Sequence, residues 1–293
     1  MSVARDSGPF TTLIPAEALH AHLDDASYAI VDCRHALADF GLGRRQYEEA
    51  HVPGAFFAGV EDDLAGSKTG KNGRHPMPDP DAFATFLRSI GVNAATQIVA
   101  YDAGADMFAA RMWFLCRWIG HQAVAVLDGG FAAWQAAGYP VSAATPRAPR
   151  QGDITAHPDA RALVDAAYVQ AHLGNDGMQL LDARAEDRFA GLNETIDPVA
   201  GHIPGARNRW FKRNFAGDGT FKSPAALREE FAAHGVDPQR VVHNCGSGVS
   251  AAANQLAMVH AGLNGSRVYG GSWSEWIADP SRPIATGPEG AER

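Results

Sequence analysis

Short apolar runs alternate along the chain with longer stretches of helical periodicity. This pattern is typical of a parallel sheet covered by helices. In the C-terminal half it predicts strands over 179–183, 240–244 and 266–270. It predicts helices over 165–172, 224–234 and 250–261. Gly, Pro or Asp residues bound the apolar runs, as expected where strands end in turns. We therefore expect a doubly wound, mostly parallel α/β sheet flanked by helices.

The same series of landmarks occurs twice along the chain. Each half begins with a strand-like segment that ends in Asp-x-Arg. A His-Val/Ile-Pro-Gly-Ala element follows, at 51–55 in the first half and at 202–206 in the second. A second strand and a Gly-Gly pair come next, in the same order in both halves. The offset is 202 − 51 = 151 at the proline element and 270 − 129 = 141 at the Gly-Gly pair, so the second copy is shorter. We predict two tandem α/β domains at 1–145 and 161–293, joined by a proline-containing linker at 146–160.

Composition narrows the classes of protein and of partner. The formal net charge of −8 argues against nucleic acid or an anionic membrane surface as a main partner. No apolar run approaches 18 residues and no secretory segment opens the sequence, so we expect a cytoplasmic protein without a membrane span. Three scattered cysteines form neither a disulfide framework nor a zinc motif. We expect no metal and no organic cofactor.

The candidate reactive group is Cys245, in the run Cys-Gly-Ser-Gly-Val-Ser between a predicted strand and a predicted helix. Open α/β sheets place their ligand sites at the carboxyl ends of strands. The glycines allow successive N–H groups to turn inward, and the helix start adds a positive dipole end. Such a turn favours an anion, so we expect the thiol to ionise readily and a persulfide to be stabilised. Ser250 is predicted to be the N-cap of the helix.

The other positions that correspond to or resemble this cysteine carry no comparable signal. The first copy has Asp102 at the matching place, and a carboxylate cannot accept a sulfur atom. We therefore expect the first copy to be catalytically silent. Cys33 and Cys116 are predicted to be buried and inert. Arg34 and Arg184, at two strand ends, are interpreted as structural arginines that pair with neighbouring acids or carbonyls.

Taken together, these motifs resemble the tandem rhodanese family over almost the whole chain. The resemblance rests on both proline elements, the Asp-x-Arg strand ends, the run Leu-Asp-Gly-Gly-Phe-x-x-Trp at 127–134 and Gly-Gly-Ser-Trp-Ser-Glu-Trp at 270–276. The cysteine loop resembles the form found in 3-mercaptopyruvate sulfurtransferases, with Ser250 in place of the usual Thr. It implies two rhodanese-like domains, the second catalytic, and donor binding by Gly246, Gly248, Val249 and Ser250.

The family also implies how the donor is held. Thiosulfate-preferring members tend to carry an Arg-Lys pair after the cysteine, whereas Gly246 and Ser247 supply no cation here. Arg188 matches a family arginine that binds the carboxylate of mercaptopyruvate. The second family arginine falls near Asp197 and is missing, and we hypothesise that Arg209 substitutes for it.

The resemblance further implies a histidine and an acid in the first copy that orient the loop serine. His75 matches the histidine, and Glu61 lies where the family more often has Asp. A Ser247–His75–Glu61 relay is expected to polarise the donor or to move protons. The glycine-rich stretch at 66–73, just before His75, is interpreted as a loop that reaches over the second copy's cysteine.

The implied function is transfer of sulfane sulfur from 3-mercaptopyruvate through a Cys245 persulfide to thioredoxin, glutathione or cyanide. Thiosulfate:cyanide sulfurtransfer is the main alternative. A cysteine phosphatase of the same fold would need an arginine six residues after the nucleophile, where Ala251 stands. A non-catalytic sulfur-binding module is disfavoured by the intact cysteine loop.

Overall fold

The computed structural model describes residues 8–288 and contains two five-stranded sheets with the same topology. Every strand pair is parallel. The first sheet has the order β1-β5-β4-β2-β3 and is formed by β1 (Leu13–Ile14), β2 (Tyr28–Asp32), β3 (Phe56–Phe57), β4 (Gln97–Tyr101) and β5 (Val124–Leu127). The second has the order β6-β10-β9-β7-β8 and is formed by β6 (Leu163–Val164), β7 (Gln179–Asp182), β8 (Arg207–Asn208), β9 (Val241–Asn244) and β10 (Arg267–Tyr269). The predicted doubly wound α/β fold, present twice, is confirmed.

Helices cover both faces of each sheet. Those of the first repeat are α1 (Ala16–His20), α2 (Leu42–Glu49), α3 (Pro80–Ser89), α4 (Phe108–Trp118) and α5 (Gly130–Ala136). Those of the second are α6 (Ala166–Ala171), α7 (Glu186–Phe189), α8 (Pro224–Ala233), α9 (Val249–His260) and α10 (Ser272–Trp276), with a 3₁₀ turn at Phe211–Asn214. All six elements predicted from the second repeat's pattern are present, with ends within two residues of the prediction.

The two repeats share one hydrophobic core. Helices α4 and α9 pack against each other, and both are almost entirely buried. A single apolar cluster runs from the inner face of the first sheet through these helices to the inner face of the second. Two smaller clusters cover the outer faces of the sheets, one in each repeat. This packing brings the first repeat against the helix that follows Cys245.

The helices of residues 8–288 are short. The longest, α9, has 12 residues, which corresponds to about 18 Å against the roughly 30 Å of a bilayer's hydrocarbon core. No helix in this part of the chain is long and apolar enough to cross a membrane.

Candidate active site

Cys245 lies between the end of β9 and the start of α9, at the carboxyl edge of the second sheet. Its side chain is buried, and Sγ accepts a hydrogen bond from the backbone N–H of Gly248 at 3.1 Å. Gly248 adopts a left-handed conformation, with φ of 80°. A Cβ there would stand 2.2 Å from the carbonyl oxygen of Gly270, so only glycine fits. The loop therefore turns at least one N–H toward the sulfur.

The segment after β10 holds the backbone of the cysteine loop through hydrogen bonds. The N–H of Cys245 donates to Ser272 Oγ at 3.1 Å, and the N–H of Trp273 donates to the Cys245 carbonyl at 3.0 Å. The N–H of Ser274 donates to the Gly246 carbonyl at 2.9 Å. Ser272 itself has a positive φ of 53°, a strained conformation for a residue with a side chain. These bonds fix the backbone that presents the thiol.

Three of the predicted residues form a hydrogen-bonded chain across the two repeats. His75 Nδ1 lies 2.8 Å from Ser247 Oγ, and His75 Nε2 lies 2.7 Å from Glu61 Oε1. Burial lowers the pKa of His75 to about 4, although Glu61 opposes this shift. Burial acts to raise the pKa of Glu61, but hydrogen bonds and charges from Lys68 and His75 hold it below its usual value.

These shifts define the protonation of the chain at neutral pH. The imidazole is neutral and the carboxylate is ionised, so Nε2–H donates to Glu61. Nδ1 then accepts the hydroxyl proton of Ser247. The lone pairs of Ser247 Oγ can still accept a hydrogen bond. Ser247 and Cys245 line the same pocket.

That pocket has a volume of about 140 Å³ and contains Cys245. It is lined by residues of both repeats: Leu37, Arg74, Met107, Arg184, Ala185, Arg188, Trp210, Phe211, Cys245, Gly246, Ser247, Val249 and Ser250. A larger cleft of about 810 Å³ contains Tyr168 and Arg267 but no cysteine.

Two guanidinium groups lie over Gly246 at the mouth of the pocket. Arg188 binds Glu194 in a bidentate manner, and its Nη2 also donates to Asp197 at 3.1 Å. Arg74, from the first repeat, pairs with the other oxygen of Asp197. The Asp197 side chain is only 1% exposed and thus orients both arginines. At the position of the second family arginine, this chain therefore has Asp197, which binds Arg74 of the first repeat.

The hypothesis that Arg209 supplies this second cation is wrong. Arg209 is fully buried, and its guanidinium donates to Asn214, Asn254 and Glu230. It also lies over the ring of Phe231, 4.0 Å from the centroid. All of this places it in the packing between α8 and α9, away from the pocket.

Two other expectations about the loop need correction or extension. Ser250 is not the N-cap, because α9 begins at Val249 and its cap is Gly248, which offers no side-chain bond. Arg184 pairs with Asp182 and with the carbonyl of Gly201, as expected of a structural arginine, but it also lines the pocket.

The corresponding loop of the first repeat holds the carboxyl group of Asp102 between a strand and a helix. The carboxylate of Asp102 is buried and accepts the N–H groups of Gly104 at 3.1 Å and Ala109 at 3.0 Å. Burial raises the pKa of Asp102 even though these bonds act against the shift. The second repeat presents a sulfur atom in the equivalent cradle.

Sequence reasoning missed three residues that shape the site. Arg74 precedes His75, and its position beside a predicted relay residue was the available signal. Ser272 lies within the Gly-Gly-Ser-Trp run, a mark of the family that does not reveal the bond of Ser272 to Cys245. Arg111 stands in the middle of the apolar run of α4, where a buried charge is unusual.

No group of three or more His, Cys, Asp or Glu side chains within residues 8–288 is arranged to hold a metal ion. All three cysteines are free and buried. Burial raises the pKa of Cys116 and Cys33 well above the usual value, as expected for inert thiols.

Comparison with known proteins identifies both repeats. The model of the rhodanese-like domain matches residues 15–137 and 165–279. A probable 3-mercaptopyruvate sulfurtransferase of Pseudomonas aeruginosa is 47% identical over 279 residues, covering 94% of this chain and 98% of the relative. A putative thiosulfate sulfurtransferase, SseB of Mycobacterium tuberculosis, is 38% identical over 261 residues, covering 88% and 91%.

A solved structure shows the same arrangement of both repeats. The crystal structure of SseA from Escherichia coli, described for the mechanism of 3-mercaptopyruvate sulfotransferases, superposes with a TM-score of 0.79. It is 30% identical, and the match covers 91% of this chain and 100% of that one.

Proposed function

Because the chain belongs to the rhodanese family, with two copies of the domain, and is a sulfurtransferase, we propose that it moves sulfur from 3-mercaptopyruvate to a thiol through a persulfide on Cys245. The observation that carries this proposal is the cradle around Sγ, in which the Gly248 N–H donates to the sulfur beside the Ser247 hydroxyl.

The first half-reaction follows from the protonation of the relay. The Cys245 thiolate attacks the donor's sulfur, the S–C3 bond breaks, and its electron pair passes to the enolate of pyruvate. The donor's thiol proton moves to Ser247 as that hydroxyl passes its own proton to His75, and Glu61 stabilises the imidazolium. The same path returns the proton to C3. One thiolate and one keto acid become one persulfide anion and one pyruvate, so atoms and charge balance.

Two arginines are proposed to hold the donor's carboxylate. Glu194 and Asp197 occupy one edge of the Arg188 guanidinium, which leaves Nη1 without a partner among the described residues. Arg74 contributes a second guanidinium from the first repeat. The acids also limit the positive charge at the mouth, so a monoanion such as mercaptopyruvate is favoured over the thiosulfate dianion.

In the second half-reaction an acceptor thiolate attacks the outer sulfur and releases the Cys245 thiolate. We propose a low-molecular-weight or protein thiol such as glutathione or thioredoxin, with cyanide as an assay acceptor. We propose the cytoplasm as the compartment, because three unpaired cysteines suit reducing conditions.

The test compares kcat/KM for 3-mercaptopyruvate and thiosulfate, with Cys245→Ser as the control. We expect the first value to be higher and both to vanish in the variant. Intact-mass measurement after donor treatment should show one additional sulfur on Cys245, about 32 Da.

A higher kcat/KM for thiosulfate would replace the proposed donor, and the 38% identical relative named as a thiosulfate sulfurtransferase is the reason to include that arm. Absence of any sulfur adduct on wild-type protein would refute the persulfide mechanism. Hydrolysis of a phosphotyrosine analogue would point instead to a phosphatase.

A further inference from the structure

Arg111 of α4 is a buried cation that joins three segments of the molecule. The residue is 0% exposed. Its guanidinium donates to four carbonyl oxygens, those of Leu64, His75, Pro76 and Gly248, each at 3.3 Å. Two of these carbonyls belong to the segment that carries the relay histidine, and one belongs to the cysteine loop. The side chain thus ties the first repeat to the catalytic loop of the second.

No carboxylate compensates this charge. Among the described residues Arg111 forms no ion pair, and its hydrogen bonds go to neutral carbonyls alone. A fully buried guanidinium without a counter-ion is costly to desolvate. The fold therefore keeps a positive charge here at the expense of stability unless an anion lies close by.

The other arginines around Cys245 each have an acid partner. Salt bridges join Arg74 to Asp197, Arg184 to Asp182 and Arg188 to Glu194. His75, the remaining titratable group beside the loop, is neutral at physiological pH because burial lowers its pKa to about 4. Arg111 is the one positive charge of this set that no acid neutralises.

Hydrogen bonds through Gly248 link Arg111 to the thiol of Cys245. Gly248 connects the two groups, because its carbonyl accepts from Arg111 while its N–H donates to Sγ at 3.1 Å. Burial lowers the pKa of Arg111 to about 10, and the charge of Cys245 is the influence that opposes this shift.

We propose that Arg111 is the positioning residue that supplies the counter-charge for the Cys245 thiolate and for the persulfide formed from it. The inference rests on the proposed function, because it takes Cys245 as the nucleophile. It also gives the catalytically silent repeat a task in the reaction: that repeat brings the compensating cation, on α4, together with the relay histidine. The cysteine loop alone would then be an incomplete centre.

The pH dependence of Cys245 alkylation tests this assignment directly. Arg111→Gln removes the charge and retains an amide donor, while Arg111→Lys retains the charge. Arg117→Gln is the matched control, because Arg117 lies on the same helix and contacts the Trp113 ring instead of the cysteine loop. Iodoacetamide labelling of Cys245 is followed by peptide mass spectrometry between pH 5 and 10, and thermal melting checks the fold of each variant.

We expect the midpoint of the labelling profile to move to higher pH in Arg111→Gln, with a roughly tenfold lower rate at pH 7. Arg111→Lys and Arg117→Gln should keep the wild-type midpoint. An unmoved midpoint in folded Arg111→Gln would overturn the proposal, because a residue that only anchors the loops would change rates without changing this midpoint.

A second measurement does not depend on whether an Arg111 variant folds correctly. The Nε–H resonance of Arg111 in the whole protein should follow the ionisation of Cys245 as pH rises, and should lose that response in Cys245→Ser. A resonance that does not respond to the ionisation of Cys245 would contradict the assignment. Because neither measurement uses a sulfur donor, failure of the persulfide mechanism, seen as a missing sulfur adduct on wild-type protein, is distinguishable from failure of this inference.

Discussion

Arg74 and Asp197 form an ion pair across the two repeats at the mouth of the pocket, where the family resemblance implies two arginines from one repeat. Position 197 carries an acid where the resemblance implies an arginine. The guanidinium comes instead from Arg74 of the first repeat. Such an exchange cannot be read from either local sequence, because the two residues are separated by 197 − 74 = 123 positions. Its effect on substrate binding is open to direct measurement.

Removal of the Arg74 charge should weaken donor binding. We expect Arg74→Gln to raise KM for mercaptopyruvate about tenfold or more, because a hydrogen bond to a charged group contributes roughly 1.5–3 kcal/mol. Arg45→Gln is the matched control, since Arg45 lies in the same repeat in an exposed pair with Asp39. Steady-state kinetics with both variants provide the measurement, and an unchanged KM for Arg74→Gln would place the carboxylate elsewhere.

Asp197 should act on the choice between donors. Asp197→Asn removes one negative charge from the mouth, which favours a dianion over a monoanion. We expect the ratio of kcat/KM for thiosulfate to that for mercaptopyruvate to rise roughly three- to tenfold. Looser positioning of the arginines weakens the binding of both donors, so a change in the ratio reports the effect of the charge alone. A ratio that stays constant would show that charge at this position does not select the donor.

His243, on β9, is a buried histidine without a function in the proposed reaction. Neither ring nitrogen has a partner in the described residues, and burial lowers its pKa to about 3. The unfolded chain takes up a proton near pH 6.5, whereas the folded chain does so only near the lower value. Stability is therefore lost as pH falls through this window, by about 1.4 kcal/mol per unit.

We expect His243→Leu to flatten this acid slope. Urea unfolding at pH 7 and pH 5 should show a smaller loss of the free energy of unfolding in the variant than in the wild type. The neutral side chain also leaves no unpaired buried polar atom, so stability at pH 7 should be retained within about 1–2 kcal/mol. Equal slopes in both proteins would mean that the buried ring is already protonated or hydrated.

At the scale of elements, the cysteine turn depends on a glycine whose φ and surroundings both exclude a side chain. Gly248 and Gly205 have nearly the same φ, 80° and 79°, but a Cβ at Gly205 meets nothing within 4 Å. Gly205→Ala therefore carries only the cost of the left-handed conformation, roughly 1–2 kcal/mol.

Gly248→Ala should be much more damaging than this control. Its Cβ would stand 2.2 Å from the Gly270 carbonyl, so the turn must shift and move the N–H that donates to Sγ. We expect turnover to fall by at least a hundredfold in Gly248→Ala and to stay within about twofold in Gly205→Ala. Comparable activities of the two folded variants would show that the turn is not needed in this form.

Element by element, the fold was predictable because its strands and helices differ sharply in period and are bounded by glycine or proline. The relay was predicted from the family resemblance, because Ser247 lies in the cysteine motif and His75 and Glu61 match family positions. Arg209 was not, because its burial between α8 and α9 depends on packing that no local pattern reveals. The N-cap was misplaced by two residues for a related reason, since Gly248 caps α9 through its backbone conformation alone.

At the scale of the whole molecule, the two repeats should unfold as one unit. They share an apolar cluster through α4 and α9, and Arg111 and His75 of the first repeat bond to the cysteine loop of the second. Separate domains would expose this common core if one unfolded alone. We therefore expect a single cooperative transition, in contrast to the independent behaviour of domains joined by a flexible linker.

A pair of equivalent substitutions tests this coupling. Ile30 and Leu180 occupy corresponding strand positions, 180 − 30 = 150 residues apart, and each lies in the outer cluster of its own repeat. Truncation to alanine costs about 2–5 kcal/mol at such sites. If the repeats unfold together, both variants show one calorimetric transition at a lower temperature, by roughly 5–15 °C. Cys245 then becomes open to rapid alkylation at the same temperature in both. An Ile30→Ala variant that melts in two steps, and keeps Cys245 protected after the first, would show instead that the second repeat stands without the first.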